Sequence, residues 1–400
     1  MKFVMRAVTL SLVLGLGLAA CSSKDEDAIP EYPEIENKIN VESVWSSSVG
    51  SGVEHYDSHL KPAVFNGTVF AASRRGQVEA FNAENGDSLW SIDLRDKDDA
   101  PLFGGLSHWW NDRNAKIAGG VSVGYDKVFV GSEDGDVVAL NPQTGETVWR
   151  VNVKAEVLAA PVAGEGLLLV NTGGGRLFAL SADTGEIRWQ HDYENSSLTL
   201  RGLSEVATNS GGVVYGTGNG HVGVLIADKG MPAWDEAIAA PKGATDLARI
   251  VDVDATPIVQ DGTIYAIAYN GQLVALDLRT GRELWKRDYA SFRTMQLAGS
   301  TLFIVDSQGR LYAVDTRSGN ELWSQLAMNK HFVSSPTVYK NYVVVGDNEG
   351  NLHWFSRDKG EYLARDSYDS SGFYAEGVVA DDKLILQTRN GEIEALRVAE

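Results

Sequence analysis

Cys21 is the one cysteine in 400 residues, so its thiol has no partner for an internal disulfide and stands out as a site of modification. The other side chains that could attack, coordinate or move protons are spread without pattern. The seven histidines fall at no metal-ligand spacing, and no run of carboxylates resembles a Ca²⁺-binding loop of EF-hand type. Neither a Gly-x-Ser-x-Gly elbow nor a glycine-rich phosphate loop is present. Polar residues that do recur, Asn82, Asn141, Asp277 and Asp315, open the turn of a repeated phrase, where such side chains bond their own backbone. No catalytic residue, metal site or cofactor is assigned.

That phrase is what must position everything else. It is a small or apolar pair and a turn residue, then Gly, three more residues and Trp. Copies run from Ala80 to Gly86 and Trp90, from Ala139 to Gly145 and Trp149, and from Ala179 to Gly185 and Trp189. Further copies run from Val224 to Gly230 and Trp234, from Ala275 to Gly281 and Trp285, and from Ala313 to Gly319 and Trp323. Each lies between strand-like runs such as Lys127–Gly131 and Val148–Val153, which predicts antiparallel hairpins. A tryptophan recurring at one register cannot serve a single active site, so its expected work is packing between repeats. Short strands repeating every ~40–50 residues predict a β-propeller with one four-stranded blade per repeat.

A seventh copy is altered: Trp354-Phe355-Ser356 leads to Gly360, but Ala364 stands where Trp is expected. The eighth is split between the chain ends. Gly391 to Leu396 reads as a third strand, and Val44 to Val49 as a fourth strand with no phrase before it. Joining them closes the ring and hides sheet edges. The expected fold is all-β, an eight-bladed propeller over residues 41–398.

Residues 1–20 read as a secretory signal, with Lys2 and Arg6 ahead of an apolar stretch too short to span a membrane comfortably. Leu18-Ala19-Ala20-Cys21 resembles the bacterial lipobox, which implies lipidation of Cys21. Ser22, rather than Asp, then favours the outer membrane, with the protein facing the periplasm. Residues 21–40 are polar and carry Pro30 and Pro33, a flexible tether in composition. The formal charge is −19, and loss of Lys2 and Arg6 takes it two units further. Such a surface argues against nucleic acid as a partner.

Several stretches carry a family resemblance: Trp45 to Gly52, Leu198-Thr199-Leu200-Arg201-Gly202, Asp252-Val253-Asp254-Ala255-Thr256-Pro257, Ala268-Tyr269-Asn270-Gly271 and Asp369 to Phe373. With the quinoprotein-type repeats and the lipobox, they make the mature chain resemble the BamB family, propeller lipoproteins of the bacterial outer-membrane β-barrel assembly machine. The resemblance implies a non-enzymatic subunit that docks on the POTRA domains of the central barrel subunit and assists folding and insertion of nascent outer-membrane proteins. It also places the docking surface at Leu198, Leu200, Arg201, Asp252 and Asp254.

Counting back from Gly212–Tyr215 and Gly262–Tyr265, read as second strands, sets Arg201 and Asp252 at matching positions of neighbouring blades. Both fall where an outer strand hands over to the next inner strand, so the two stretches are expected on one face. Two leucines around a rigid guanidinium fork suit a hot spot. The bland reading stays open: the leucines alternate as in a half-buried strand, and the aspartates could brace loops or pair with Arg201.

Two rivals remain. A quinone-dependent dehydrogenase with Ca²⁺ uses the same repeats, and another periplasmic interaction scaffold would share the anchor. The connection over residues 94–118, with Trp109 and Trp110, departs from the family pattern and reads as an adhesive surface or a lid.

Overall fold

Each phrase folds into the outer hairpin of a four-stranded antiparallel sheet, and the computed structural model arranges eight such sheets as the blades of a propeller. The structure describes residues 29–399 apart from 57, 59, 96–113, 197 and 201. The expected signal over 1–20, Cys21, Trp109, Trp110 and Arg201 therefore lie outside the described residues. From Pro33 onward the chain forms one compact unit.

Blades 1 to 7 span residues 63–93, 117–152, 162–192, 207–237, 258–287, 296–325 and 337–367. Blade 8 is built from both ends of the propeller. Strands Val378–Ala380, Lys383–Gln387 and Glu392–Val398 are completed by Val41–Ser48, which pairs antiparallel to the last of them, from Val41 opposite Val398 to Ser48 opposite Glu392.

Why Gly and Trp keep their spacing becomes plain from the packing. The turn residue closes the turn as expected: Asn82 Oδ1 accepts Glu84 N–H at 2.8 Å, and Asn141, Asp277 and Asp315 do the same in their blades. Gly86 follows at φ +75°, in the left-handed region where a side chain is strained. It lies under the indole of Trp45 from the preceding blade, where a Cβ would come within 2.7 Å of the ring. Gly145, Gly185, Gly230, Gly281, Gly319 and Gly360 meet Trp90, Trp149, Trp189, Trp234, Trp285 and Trp323 in the same way.

Each indole N–H also donates to a carbonyl of the blade it covers. Trp149 reaches Ala182 O at 2.9 Å, Trp189 reaches Ala227 O at 2.7 Å, and Trp285 reaches Thr316 O at 2.9 Å. Ring burial and a satisfied N–H together make a staple between neighbours. Inside blades 1 to 6 the Trp sits opposite a third-strand residue that is Ala except for Val224 of blade 4, as with Ala80 opposite Trp90 and Ala139 opposite Trp149, with a bulge just after.

Blade 7 inverts that pair, and the reason is geometric. Trp354 on its third strand faces Ala364 on its fourth, and Trp354 is fully buried against Tyr339 and Tyr342. A fourth-strand Trp here would need a turn in blade 8 to cover. Blade 8 has none, because the two ends of the propeller meet at that place. The lead-in takes the space instead. Lys38 N–H donates to Leu363 O at 2.7 Å, while the Asn37 side chain accepts from Arg365 N–H at 3.0 Å and donates to Asp366 at 2.9 Å. Ile39 and Val41 join the cluster around Trp354, Ala364, Leu396 and Val398. The last four residues of the expected tether thus belong to the seam.

Trp354→Ala should lower stability by about 3–5 kcal/mol in urea unfolding. Adding Ala364→Trp should not restore it, because the lead-in rather than a glycine turn lies beside position 364.

Candidate functional site

The described parts of the segments that enter the innermost strands meet around the propeller axis, where they line a cavity of about 260 Å³. In blade 4 the entering segment carries Leu198, Leu200 and Gly202; in blade 5 it carries Asp252 and Asp254. The two are neighbours in space. Leu200 N–H donates to the Asp252 carboxylate, and Asp254 Oδ2 lies so near Gly202 that a Cβ there would approach to 2.7 Å. Gly202 is required by that close approach, which explains the small residue ending the Leu-x-Leu-Arg-Gly stretch.

A second shared motif holds this arrangement from behind. Tyr269 N–H donates to Asp252 O at 2.8 Å, and the Asn270 side chain donates to Ile250 O at 3.2 Å. Val253 N–H reaches across to Thr217 O of blade 4 at 3.1 Å. The Ala-Tyr-Asn-Gly turn therefore pins the Asp-Val-Asp segment, which in turn fixes Leu200.

The side chains differ in what they offer. Leu198 is 42 % exposed, a large apolar group left in solvent. Leu200 is half-buried at the wall of the cavity. Asp254 is also half-buried and lines the cavity, but Asp252 has no exposed surface at all. Asp252, expected at the docking surface, exposes no surface to a partner in this structure, and its carboxylate instead holds the Leu200 backbone. Burial pushes the Asp252 carboxyl up to about 6, partly offset by the Leu200 N–H bond. Burial, and then the neighbouring Asp252, raise Asp254 well above the ordinary carboxylate range. Asp252 Oδ1 and Asp254 Oδ2 have no hydrogen-bond partner among the described residues.

Three axial residues escaped the sequence reading. Lys61 Nζ sits 2.8 Å from Glu205 and 2.8 Å from Glu376, a clasp joining the segments that enter blades 1, 4 and 8. Burial disfavours the ammonium, but the two carboxylates more than offset it and hold Lys61 above the ordinary lysine value. The signal was positional. Lys61, Glu205 and Glu376 each stand two residues before their innermost strands, at Ala63, Ala207 and Val378.

A family model described as outer membrane protein assembly factor BamB matches residues 103–325. A second, described as the β-propeller domain of glucose/ethanol/alcohol dehydrogenase, matches residues 35–150. The chain is 39 % identical to the BamB of Yersinia pestis, covering 98 % of each chain, and 40 % identical to that of Shewanella oneidensis, covering 96 % of each. Among solved structures, BamB from Moraxella catarrhalis superposes with a TM-score of 0.76 at 22 % identity, over 90 % of this chain and 100 % of the other. The quinohemoprotein alcohol dehydrogenase of Comamonas testosteroni reaches 0.68 at 14 % identity, over 90 % and 77 %. The last two likenesses concern fold.

Because the charged form of Asp252 is disfavoured by folding, its contribution lowers stability as pH rises from 3.8 towards about 6 and is level above that. Asp252→Asn should remove that slope, so the difference in melting temperature should move in favour of the variant across this window and then stay constant. Parallel melting curves from pH 4 to 7 would contradict the burial argument.

Proposed function

The chain belongs to the BamB family of outer membrane protein assembly factors, and from that premise we propose that it is a non-enzymatic docking subunit. It binds the POTRA domains of the barrel-forming central subunit, held at the periplasmic side of the outer membrane by lipid on Cys21. The observation that carries this reading is the juxtaposition of the 198–202 and 252–254 stretches on one face, with Leu198 in solvent and Leu200 at the wall of the axial cavity.

In this reading Leu198, Leu200 and Arg201 meet the partner, Asp254 borders the contact, and Asp252 keeps the Leu200 backbone in place. Apolar anchors around a bidentate donor supply affinity and orientation together. Docking there holds the POTRA arm in one pose, which assists insertion of client barrels without any bond being made or broken.

The quinone-enzyme reading is less well supported. The axial cavity presents Glu133, Glu205, Asp254 and Glu376 against Lys61 and Arg293, four carboxyl groups to two cations, which disfavours an anionic quinone. His353 is the histidine most drawn into a polar cluster, 3.1 Å from Asp347 and 2.6 Å from Tyr362, yet it is sealed from solvent, and burial lowers its pKa. That cluster is buried within blade 7 and ties its strands together.

Leu198→Glu, Leu200→Glu and Arg201→Glu should each weaken co-purification of the central subunit by about 2 kcal/mol, ~30-fold in affinity, with the melting temperature nearly unchanged. Undiminished capture by all three would sink the docking surface. Cys21→Ala should move the protein from the membrane fraction to the soluble periplasm, which immunoblotting of fractions would read.

A further inference from the structure

We propose that the axial cavity is itself a binding site for a small organic cation, a primary amine or guanidinium on an apolar stem, received by Asp254. This does not rest on the docking reading, although Leu200 and Asp254 belong to both.

The charged groups around the cavity already have polar partners, with one exception. Lys61 is shared by Glu205 and Glu376, and Glu133 pairs with Arg74 at 2.8 Å. The Arg293 guanidinium donates to the backbone carbonyls of Val333 and Asp306 and packs on the Phe292 ring at 4.4 Å. Among the described residues Asp254 has no cation and its Oδ2 has no hydrogen-bond partner; burial holds its carboxyl well above the ordinary range, so an arriving cation draws out the charge as the carboxyl proton leaves to solvent.

A second polar group lines the same cavity, on the segment that enters blade 1. Ser58 is 8 % exposed, lines the same cavity, and its hydroxyl has no partner among the described residues. Leaving such groups unpaired out of water is costly, and a ligand that bonds both removes the cost. Behind Asp254, the buried Asp252 adds to the negative potential with its own unpartnered oxygen.

The remaining walls are apolar or aromatic. Leu158, Leu200, Tyr269 and Phe292 face the space, with the Tyr269 and Phe292 rings edge to face at 6.1 Å. Aromatic faces and a carboxylate are the pair of features that receive an organic cation with its stem. A volume of about 260 Å³ admits a compact molecule of that kind.

Benzylamine and its uncharged analogue benzyl alcohol test the assignment on the folded mature chain, by calorimetry and by amide NMR shifts at Gly202 and Thr256. The expected result is saturable binding of the amine, with the alcohol about tenfold weaker and Asp254→Asn lowering amine affinity by about tenfold. Ser58→Ala, which leaves the charge in place, should cost a few-fold and provides the test should Asp254→Asn fail to fold. Equal binding of amine and alcohol, indifference to both substitutions, or no saturation would overturn the proposal. Release of the captured central subunit by benzylamine would overturn a free-molecule site and assign the cavity to a basic side chain of that partner. Unchanged capture supports the site as stated.

Discussion

A tryptophan lying over the glycine of the next blade sets the geometry on which everything else depends. The ring needs a flat seat, which only a residue without a side chain provides, and Gly145 supplies it for Trp90 at φ +73°. An indole N–H bonded to the neighbour's backbone fixes the rotation between blades as well as their separation; Trp90 reaches Pro142 O at 2.9 Å. The same contact made from Trp45 round to Trp323 gives successive blades the same relation, and a constant step around an axis closes into a ring. The exact residues between Gly and Trp matter little, which is why they vary freely while the spacing does not.

The exception supports the rule. A staple requires a turn between the third and fourth strands of the blade it covers, and blade 8 is interrupted at that place. With no seat, a Trp at position 364 would project without a partner. Its bulk appears one strand inward as Trp354, and the opening is filled by Asn37 to Asn40. Tyr339 adds a bond from its hydroxyl to Asp382 O, and Gly377 N–H donates to Thr337 at 2.7 Å, so blades 7 and 8 are joined by dispersed contacts. The seam therefore has a different chemistry from the other junctions, imposed by where the termini meet.

The architecture was legible because the staple is made of two residue types that have few substitutes. Gly and Trp at fixed separation reveal the turn, the outer strand and the blade period together, and the split eighth blade follows from leftover strands at each end. The site was legible only in part. Neighbouring stretches could be placed by counting back from the second strands, and Leu200 does bond Asp252. Counting could not tell that Asp252 turns inward while Asp254 lines the axis, since that depends on the Tyr269 and Val253 backbone bonds. Lys61, Glu205 and Glu376 were invisible because no motif contains them. They come from blades far apart in sequence and share only a position before an inner strand.

The inter-blade staples and the candidate site occupy different radii of the disc. The staples lie on the outer strands, where each blade is secured to the next, while the entering segments that form the site are secured by backbone bonds such as Tyr269 to Asp252. Changing a side chain on those segments leaves every Trp–Gly contact intact. Buried polar groups with missing partners, costly in an ordinary core, are tolerable here because the surrounding ring is held by contacts that do not pass through them. That separation leaves the residues just before each inner strand free to differ in chemistry without disturbing the blades, and around the axial cavity of this chain they are predominantly acidic and apolar.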